Sequence, residues 1–304
     1  MTTARARTPR RVVGKSAKSG KLSHTLNRTA LYVAVTAGAI AFGLPFAWMV
    51  RTTVMPPQQV YRFPPEWIPE EIHWEYFTGI LRHVKFGGGA GYRFPDWLWN
   101  SFMLSTVTAV GAVLSSSLVG FAFGRLRFRG RDALFVIVLS TMILPQHVRM
   151  IPTFLLFTKL DWVGTYKPLI VPTYFAPAFF VFLLRQFFMQ IPREMDDSAY
   201  IDGCSPLGLF FRIHLPLSLP VLGVVMIFQF NGMWNNFFGP LLYLRDVAKY
   251  PVSVGLRYFQ GRFQQTEIQA LMAASLVSLI PPILLFFFAQ RRMIQGIVIT
   301  GIKG

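Results

Sequence analysis

Ile191-Pro192-Arg193-Glu194-Met195-Asp196-Asp197-Ser198-Ala199-Tyr200-Ile201-Asp202-Gly203-Cys204-Ser205-Pro206, continuing to Ile213-His214-Leu215-Pro216, is a polar island between two apolar runs. It parses as two short helices. Pro192 suits a first helical position, because its fixed φ fits the helix and its missing N–H is one the helix start leaves unpaired anyway. Glu194, Asp196 and Asp197 complement the positive end of the helix dipole. Gly203 is placed to end the first helix in a left-handed turn, a conformation that costs glycine nothing. Ser205 then caps a second helix with Pro206 as its first residue, and Pro216 marks the return to apolar sequence. The product is a rigid helix-turn-helix knob between two hydrophobic segments, suited to be gripped by a partner.

On either side of the island the 304-residue chain is 53% hydrophobic and 14% charged, with a mean hydropathy of +0.44. That balance excludes a soluble enzyme with a wet surface. A bilayer core of about 30 Å takes about 20 apolar residues in a helix. Six runs free of Asp, Glu, Lys and Arg approach this: 29–50, 98–124, 133–148, 168–184, 217–238 and 268–290. The third and fourth are short, and the polar, proline-containing stretch 149–167 between them reads as an external loop closing a hairpin of spans. The first run is too long for the apolar core of a secretory signal and reads as an uncleaved span. The single cysteine, Cys204, excludes an intramolecular disulfide and a cysteine-built metal cluster.

The net charge is +17, from 30 Lys and Arg against 13 Asp and Glu. Once the spans are drawn, 18 basic and 5 acidic residues fall on the side of the N-terminal tail, Arg125-Leu126-Arg127-Phe128-Arg129-Gly130-Arg131-Asp132, the connection from Arg185 through the 191–216 island, and the C-terminus, against 12 and 8 on the other side. Positive residues stay inside, so both termini and the island are expected to be cytoplasmic. This divides the chain into a basic tail over 1–28, a membrane domain over 29–290 with external loops at 51–97 and 239–267, and a C-terminal tail over 291–304. The sequon Asn27-Arg28-Thr29 then lies on the wrong side for glycosylation.

At the island the sequence resembles the membrane permease subunits of binding-protein-dependent ABC importers. Their hallmark is a Glu-Ala-Ala triplet, three residues, Gly, nine residues, Ile, one residue and Leu-Pro. Here these positions hold Asp197-Ser198-Ala199, Gly203, Ile213 and Leu215-Pro216, with Asp for Glu and Ser for the first Ala. The resemblance implies a coupling loop that docks on an ATPase subunit, through Asp197, Ser198, Ala199, Asp202, Gly203, Ile213, Leu215 and Pro216. Trp234-Asn235-Asn236-Phe237-Phe238-Gly239-Pro240-Leu241-Leu242, the segment Tyr250 to Leu256 and Leu271-Met272-Ala273-Ala274-Ser275 look like the carbohydrate-uptake class, specifically its maltose-permease-like second subunit. The ending, Gln290 to Gly296 and Thr300-Gly301-Ile302-Lys303-Gly304, resembles that subunit's tail, which reaches the ATPase interface and implies contacts at Gly301, Lys303 and Gly304.

The resemblance implies an all-α polytopic membrane protein of six transmembrane helices with the ABC importer type I permease fold. Its implied partners are a homologous second permease, two ATPase subunits, an extracytoplasmic solute-binding protein, membrane lipid and a sugar, with no nucleic acid. No cofactor is expected on this chain: ATP and Mg belong to the ATPases. The implied location is the inner membrane of a bacterial or archaeal cell. From the residues themselves, the lack of Asp, Glu, Lys and Arg in the spans argues against an ion-coupled carrier. Gly14-Lys15-Ser16 imitates the end of a phosphate-binding loop but lacks its first glycine and a preceding strand.

Polar residues within the spans are candidates for the substrate path: Gln229, Asn231, Asn235 and Asn236, with Trp234 beside them. Amides and an aromatic face suit a sugar, and the same groups also serve helix packing and the membrane interface. Gln146 and His147 are weaker candidates. Gly120 and Gly124, after Ser115-Ser116-Ser117, permit close helix packing, with the second permease as one possible partner. Glycerol phosphate or a related polyol remains a rival substrate. A membrane-embedded enzyme acting on lipid-linked sugars would need clustered acids or histidines at the interface, which the sequence lacks.

Overall fold

The computed structural model describes residues 17–81, 94–260 and 268–301, and all regular structure among them is helical. The chain divides into two units, residues 1–50 and 51–304. The first is built on the helix Ala17–Val54, whose apolar side chains, Leu31, Ile40 and Phe42 among them, are exposed. Such a surface suits lipid as its solvent.

The second unit is organised on the helix Phe94–Arg125. Asp96 in its first turn and Arg125 in its last complement the helix dipole at both ends. It packs along Leu219–Trp234 on one side and Ala178–Gln190 on another, and Leu219–Trp234 packs in turn on Ile268–Gly301. Gly120 and Gly124 make the second of these contacts possible. A Cβ at Gly120 would stand 2.9 Å from Leu184 Cβ, and one at Gly124 3.2 Å from Phe188 Cβ. The small-residue pair therefore seats a neighbour within the same chain.

The expected third span is not one helix. The helix Arg131–Ser140 ends in a turn, and Pro145 caps a new helix, Gln146–Lys159, which takes in most of the stretch read as an external loop. Proline forces Leu144 out of helical geometry and offers no N–H to continue the ladder, so the apolar run breaks there. Pro152 is tolerated inside the second piece. A turn with left-handed Asp161 and Gly164 leads into Lys167–Gln190.

Among the described residues four helices are long and apolar enough to cross a membrane: Asn27–Val54, Phe94–Arg125, Lys167–Gln190 and Ile268–Phe288. The pair Pro206–Leu217 and Leu219–Trp234, bent by 78°, makes a fifth if it is one span. Around the start of Phe94–Arg125, the segment 247–255 is stapled down by side chains of that helix. Trp97 Nε1 donates to Val247 O at 2.9 Å, Asn100 Nδ2 to Ala248 O at 2.8 Å, and Ser101 Oγ accepts from Val252 N at 2.7 Å. Half of the loop expected at 239–267 is thus folded tightly; its residues 261–267, and Gly87-Gly88-Gly89 in the 51–97 loop, lie outside the described residues.

Candidate functional site: a coupling loop and a polar cavity

The island folds as two short helices. Arg193–Ile201 is the first, with Pro192 as its cap and not its first helical residue. Pro192 has ψ near 139°, outside the helical range, because Ile191 and Pro192 carry the chain in extended form from the end of Ala178–Gln190. Gly203 has φ +77°, and the turn it makes closes with Gly203 N donating to Tyr200 O at 3.0 Å and Cys204 N to Ala199 O at 2.9 Å. Ser205 Oγ accepts from Gly208 N at 3.1 Å and caps the helix opened by Pro206. That helix passes through a π-helical turn, Phe210–His214, before the 78° bend at Ser218.

Asp197, Ser198, Asp202, Gly203 and Pro216 are exposed, Ile213 and Leu215 half-buried, and Ala199 buried. Ala199 joins Leu209, Phe210, Phe121, Leu184 and Phe188 in one apolar cluster that fixes the loop to the helices Phe94–Arg125 and Ala178–Gln190. The sequence reading missed the loop's exposed apolar side chains. Met195, Tyr200, Ile201 and Leu207 all face outward, with Ile201 86% exposed. Apolar residues spaced along a helix rich in acids were the available signal.

Beneath the loop lies a buried ionic cluster that sequence reasoning also missed, since its members are 71 and 18 residues apart. Arg125 Nε donates to Asp196 Oδ2 at 2.8 Å, and His214 Nε2 stands 2.8 Å from Asp196 Oδ1. Burial pushes the Asp196 carboxyl up, but hydrogen bonds from Arg125 and His214 outweigh it and hold the group below the usual carboxylate range. Burial pushes the His214 imidazole down, against the pull of Asp196. The ring is therefore neutral near pH 7, with Nε2–H donating to the carboxylate.

A separate open cavity of about 680 Å³ lies among Gln146–Lys159, the segment 168–173 and the end of Leu219–Trp234 with the turn beyond it. Gln229, Asn235 and Asn236 are on its wall, as are Gln146 and His147. Asn231 is not: its carbonyl accepts from the Asn235 backbone and side chain at 3.1 and 2.9 Å. Trp234 is not either; it is buried and stacked on Phe230 with ring centres 5.6 Å apart. Asn236 Oδ1 accepts from Gly239 N at 3.0 Å, which shapes the wall's turn. Among the described residues on the wall, Arg149 is the one Lys, Arg, Asp or Glu. Gly301 closes the last helix, while Lys303 and Gly304 lie outside the described residues. Among the described residues no group of His, Cys, Asp or Glu is arranged to hold a metal ion.

Residues 116–298 match the family described as binding-protein-dependent transport system inner membrane component. The chain is 38% identical over 208 residues to the arabinooligosaccharides transport system permease protein AraQ of Halalkalibacterium halodurans, covering 68% of this chain and 74% of that one. It is 31% identical over 270 residues to the sn-glycerol-3-phosphate transport system permease protein UgpE of Pectobacterium atrosepticum, covering 88% and 94%. Its fold is similar to the crystal structure of a bacterial ABC transporter involved in the import of the acidic polysaccharide alginate, with a TM-score of 0.71 at 20% identity over 92% of this chain and 99% of that one. The resemblance to the carbohydrate-uptake class stands, and the chain is a transport subunit, not an enzyme. With a family match over residues 116–298, most of its length, this chain belongs to the inner-membrane permeases of binding-protein-dependent ABC importers.

Proposed function

We propose that the chain is one permease half of an ATP-driven sugar importer, with six spans and both termini in the cytoplasm. The loop over 191–216 docks on an ATPase subunit, and the sixth span comes from Arg131–Ser140 and Gln146–Lys159 acting together across the break at Pro145. A homologous second permease completes the path, two ATPases supply ATP and Mg chemistry, and an extracytoplasmic binding protein delivers the sugar against the loops over 51–97 and 239–267. Gly301, Lys303 and Gly304 reach the ATPase interface. The observation that carries this reading is the knob itself: a rigid helix-turn-helix, pinned from below, with Met195, Tyr200, Ile201 and Leu207 turned outward beside exposed acids. An interface with an apolar centre and a charged rim is the common form of a specific docking site. Gln229, Asn235 and Asn236 line the path, where amides match sugar hydroxyls.

The test is ATP hydrolysis by the purified importer in proteoliposomes, stimulated by the loaded binding protein. A tryptophan at position 203 both strains the left-handed turn and fills the docking face. Gly203→Trp is expected to abolish substrate-stimulated hydrolysis while membrane insertion persists; full stimulation in the variant would sink the coupling role of the loop.

One observation favours a second reading for the cargo. Arg149 is on the cavity wall with no acid among the described residues of that wall, a setting that favours a substrate carrying phosphate or carboxylate. The relative that transports sn-glycerol 3-phosphate fits that chemistry. Arg149→Gln is expected to cut uptake of glycerol 3-phosphate at least tenfold if the cargo is anionic, and to leave uptake of a neutral oligosaccharide within about twofold.

A further inference from the structure

Arg125 is the last residue of the helix Phe94–Arg125, and its guanidinium does not point to water. Its side chain is 3% exposed. Besides Asp196, it donates from Nη1 to Phe188 O at 3.2 Å and Ile191 O at 2.8 Å, and from Nη2 to Pro192 O at 3.1 Å. Those three carbonyls end the helix Ala178–Gln190 and begin the loop. One planar fork thus holds the end of one helix, the end of another and the first turn of the coupling helix. Asp196 extends the link: its second oxygen takes the hydrogen bond from His214, which is fully buried between the rings of Phe121, at 5.0 Å, and Phe188, at 5.7 Å. Phe121 and Phe188 belong to the same two helices that Arg125 ties together, and Gly120 and Gly124 let those helices approach closely.

The geometry points to Arg125, Asp196 and His214 as a clamp that makes the coupling loop and the helices Phe94–Arg125 and Ala178–Gln190 move as one body, so that force on the loop is delivered to the cavity. Arg125, Asp196 and His214 are positioning residues in this scheme; none touches substrate or nucleotide. The inference rests on the reading of 191–216 as the coupling loop. Delivery follows from packing: Leu219–Trp234, whose end carries Gln229 and the turn with Asn235 and Asn236, lies along Phe94–Arg125. A buried ion pair is by itself weak evidence for stability, since apolar side chains of like volume often serve as well. What apolar packing cannot do is grip three carbonyls and a carboxylate in fixed directions, and a transmission joint needs that directionality. The lone pair of His214 Nδ1 is buried with no partner among the described residues, a cost accepted at the joint.

The test compares Arg125→Lys and Asp196→Asn with the unaltered importer, reconstituted with its ATPases and binding protein. Maltotriose, arabinotriose and glycerol 3-phosphate are used as probes, and the one that stimulates hydrolysis most is kept. Lysine retains the charge but not the fork, so the clamp predicts ATP turnover within about twofold of normal and transport per ATP reduced about tenfold. A readout without substrate accompanies it. In a Cys204→Ser background, spin labels at Glu194→Cys and Val110→Cys report the distance between loop and helix. The clamp predicts no change in that distance when ATP and vanadate trap the closed ATPases, and a shifted or broadened distance once Arg125→Lys is added. Normal transport per ATP together with an unchanged distance in both variants overturns the clamp, and so does loss of insertion in both, which would make the cluster a folding element only. Gly203→Trp separates the two claims: if it too leaves coupling intact, the coupling reading fails; if it uncouples while Arg125→Lys does not, only the clamp fails.

Discussion

At the base of the 191–216 loop, charged and polar groups meet at 2.8 Å with almost no solvent between them, whereas on the cavity wall amides and one guanidinium line open space. The two regions use the same kinds of side chain for opposite ends. Buried groups whose hydrogen bonds are satisfied internally fix one geometry and resist change. Polar groups left facing a cavity keep their hydrogen-bonding capacity for something that enters. In the proposed reading one region carries force and the other meets cargo, and the two are joined by Phe94–Arg125 and the helix packed along it.

The contrast is most exposed to failure through charge removal. Asp196→Ala leaves the Arg125 guanidinium buried without its carboxylate and is expected to cost about 3–5 kcal/mol, read as a lower unfolding temperature of the purified permease. Gln229→Ala, on the cavity wall, is expected to stay within about 0.5 kcal/mol while lowering uptake. Equal shifts would erase the distinction between the regions. Glycines sharpen it next. Gly120→Leu drives a branched side chain into Leu184 and the backbone at Arg185, an overpacking worth about 1–3 kcal/mol. Gly232 is on the cavity wall with nothing within 4 Å of its would-be Cβ, so Gly232→Leu is expected to leave stability unharmed and to obstruct transport.

The smallest effect concerns pH. Asp196 and His214 both have folded values below their unfolded ones, so the folded state holds fewer protons and each contributes stability that is lost as pH falls. For His214 the loss begins as pH drops through about 6.5, where the unfolded imidazole takes up its proton, and Asp196 adds its share below about 4. Unfolding temperature should therefore decline from neutrality toward pH 5, and His214→Phe should flatten that decline. A decline unaltered in His214→Phe would place its source elsewhere.

Local chemistry made the helix-turn-helix over 191–216 legible. The acids of the first turn, the turn glycine, the Ser205 cap and Pro206 each act within a few residues, and all stand where the sequence puts them. Pro192 slipped by one position because φ alone does not distinguish a cap from a first helical residue; ψ decides, and it is set by the preceding helix end. The third apolar run is divided between two helices because Pro145 breaks a stretch that hydropathy alone joins, while Arg149 and Pro152 disguise the helix that follows. Of the path candidates, Gln229, Asn235 and Asn236 share the cavity, but Trp234 turned into the core, since a helix has one face for each and one sequence does not label them. Arg125 with Asp196 and His214 was out of reach: contacts across such separations follow from the packing of helices, and each of the three looked ordinary in its own neighbourhood.

Cys204 follows the left-handed turn at Gly203, half-buried, its sulfur close under Gly208. Because it is the one thiol in the chain, the permease arrives with a chemical address already written at the loop expected to meet the ATPase. Maleimide reacting with this protein therefore reports from a single location, and the rate at which it does so, with and without nucleotide, times the engagement of the motor in unmodified material.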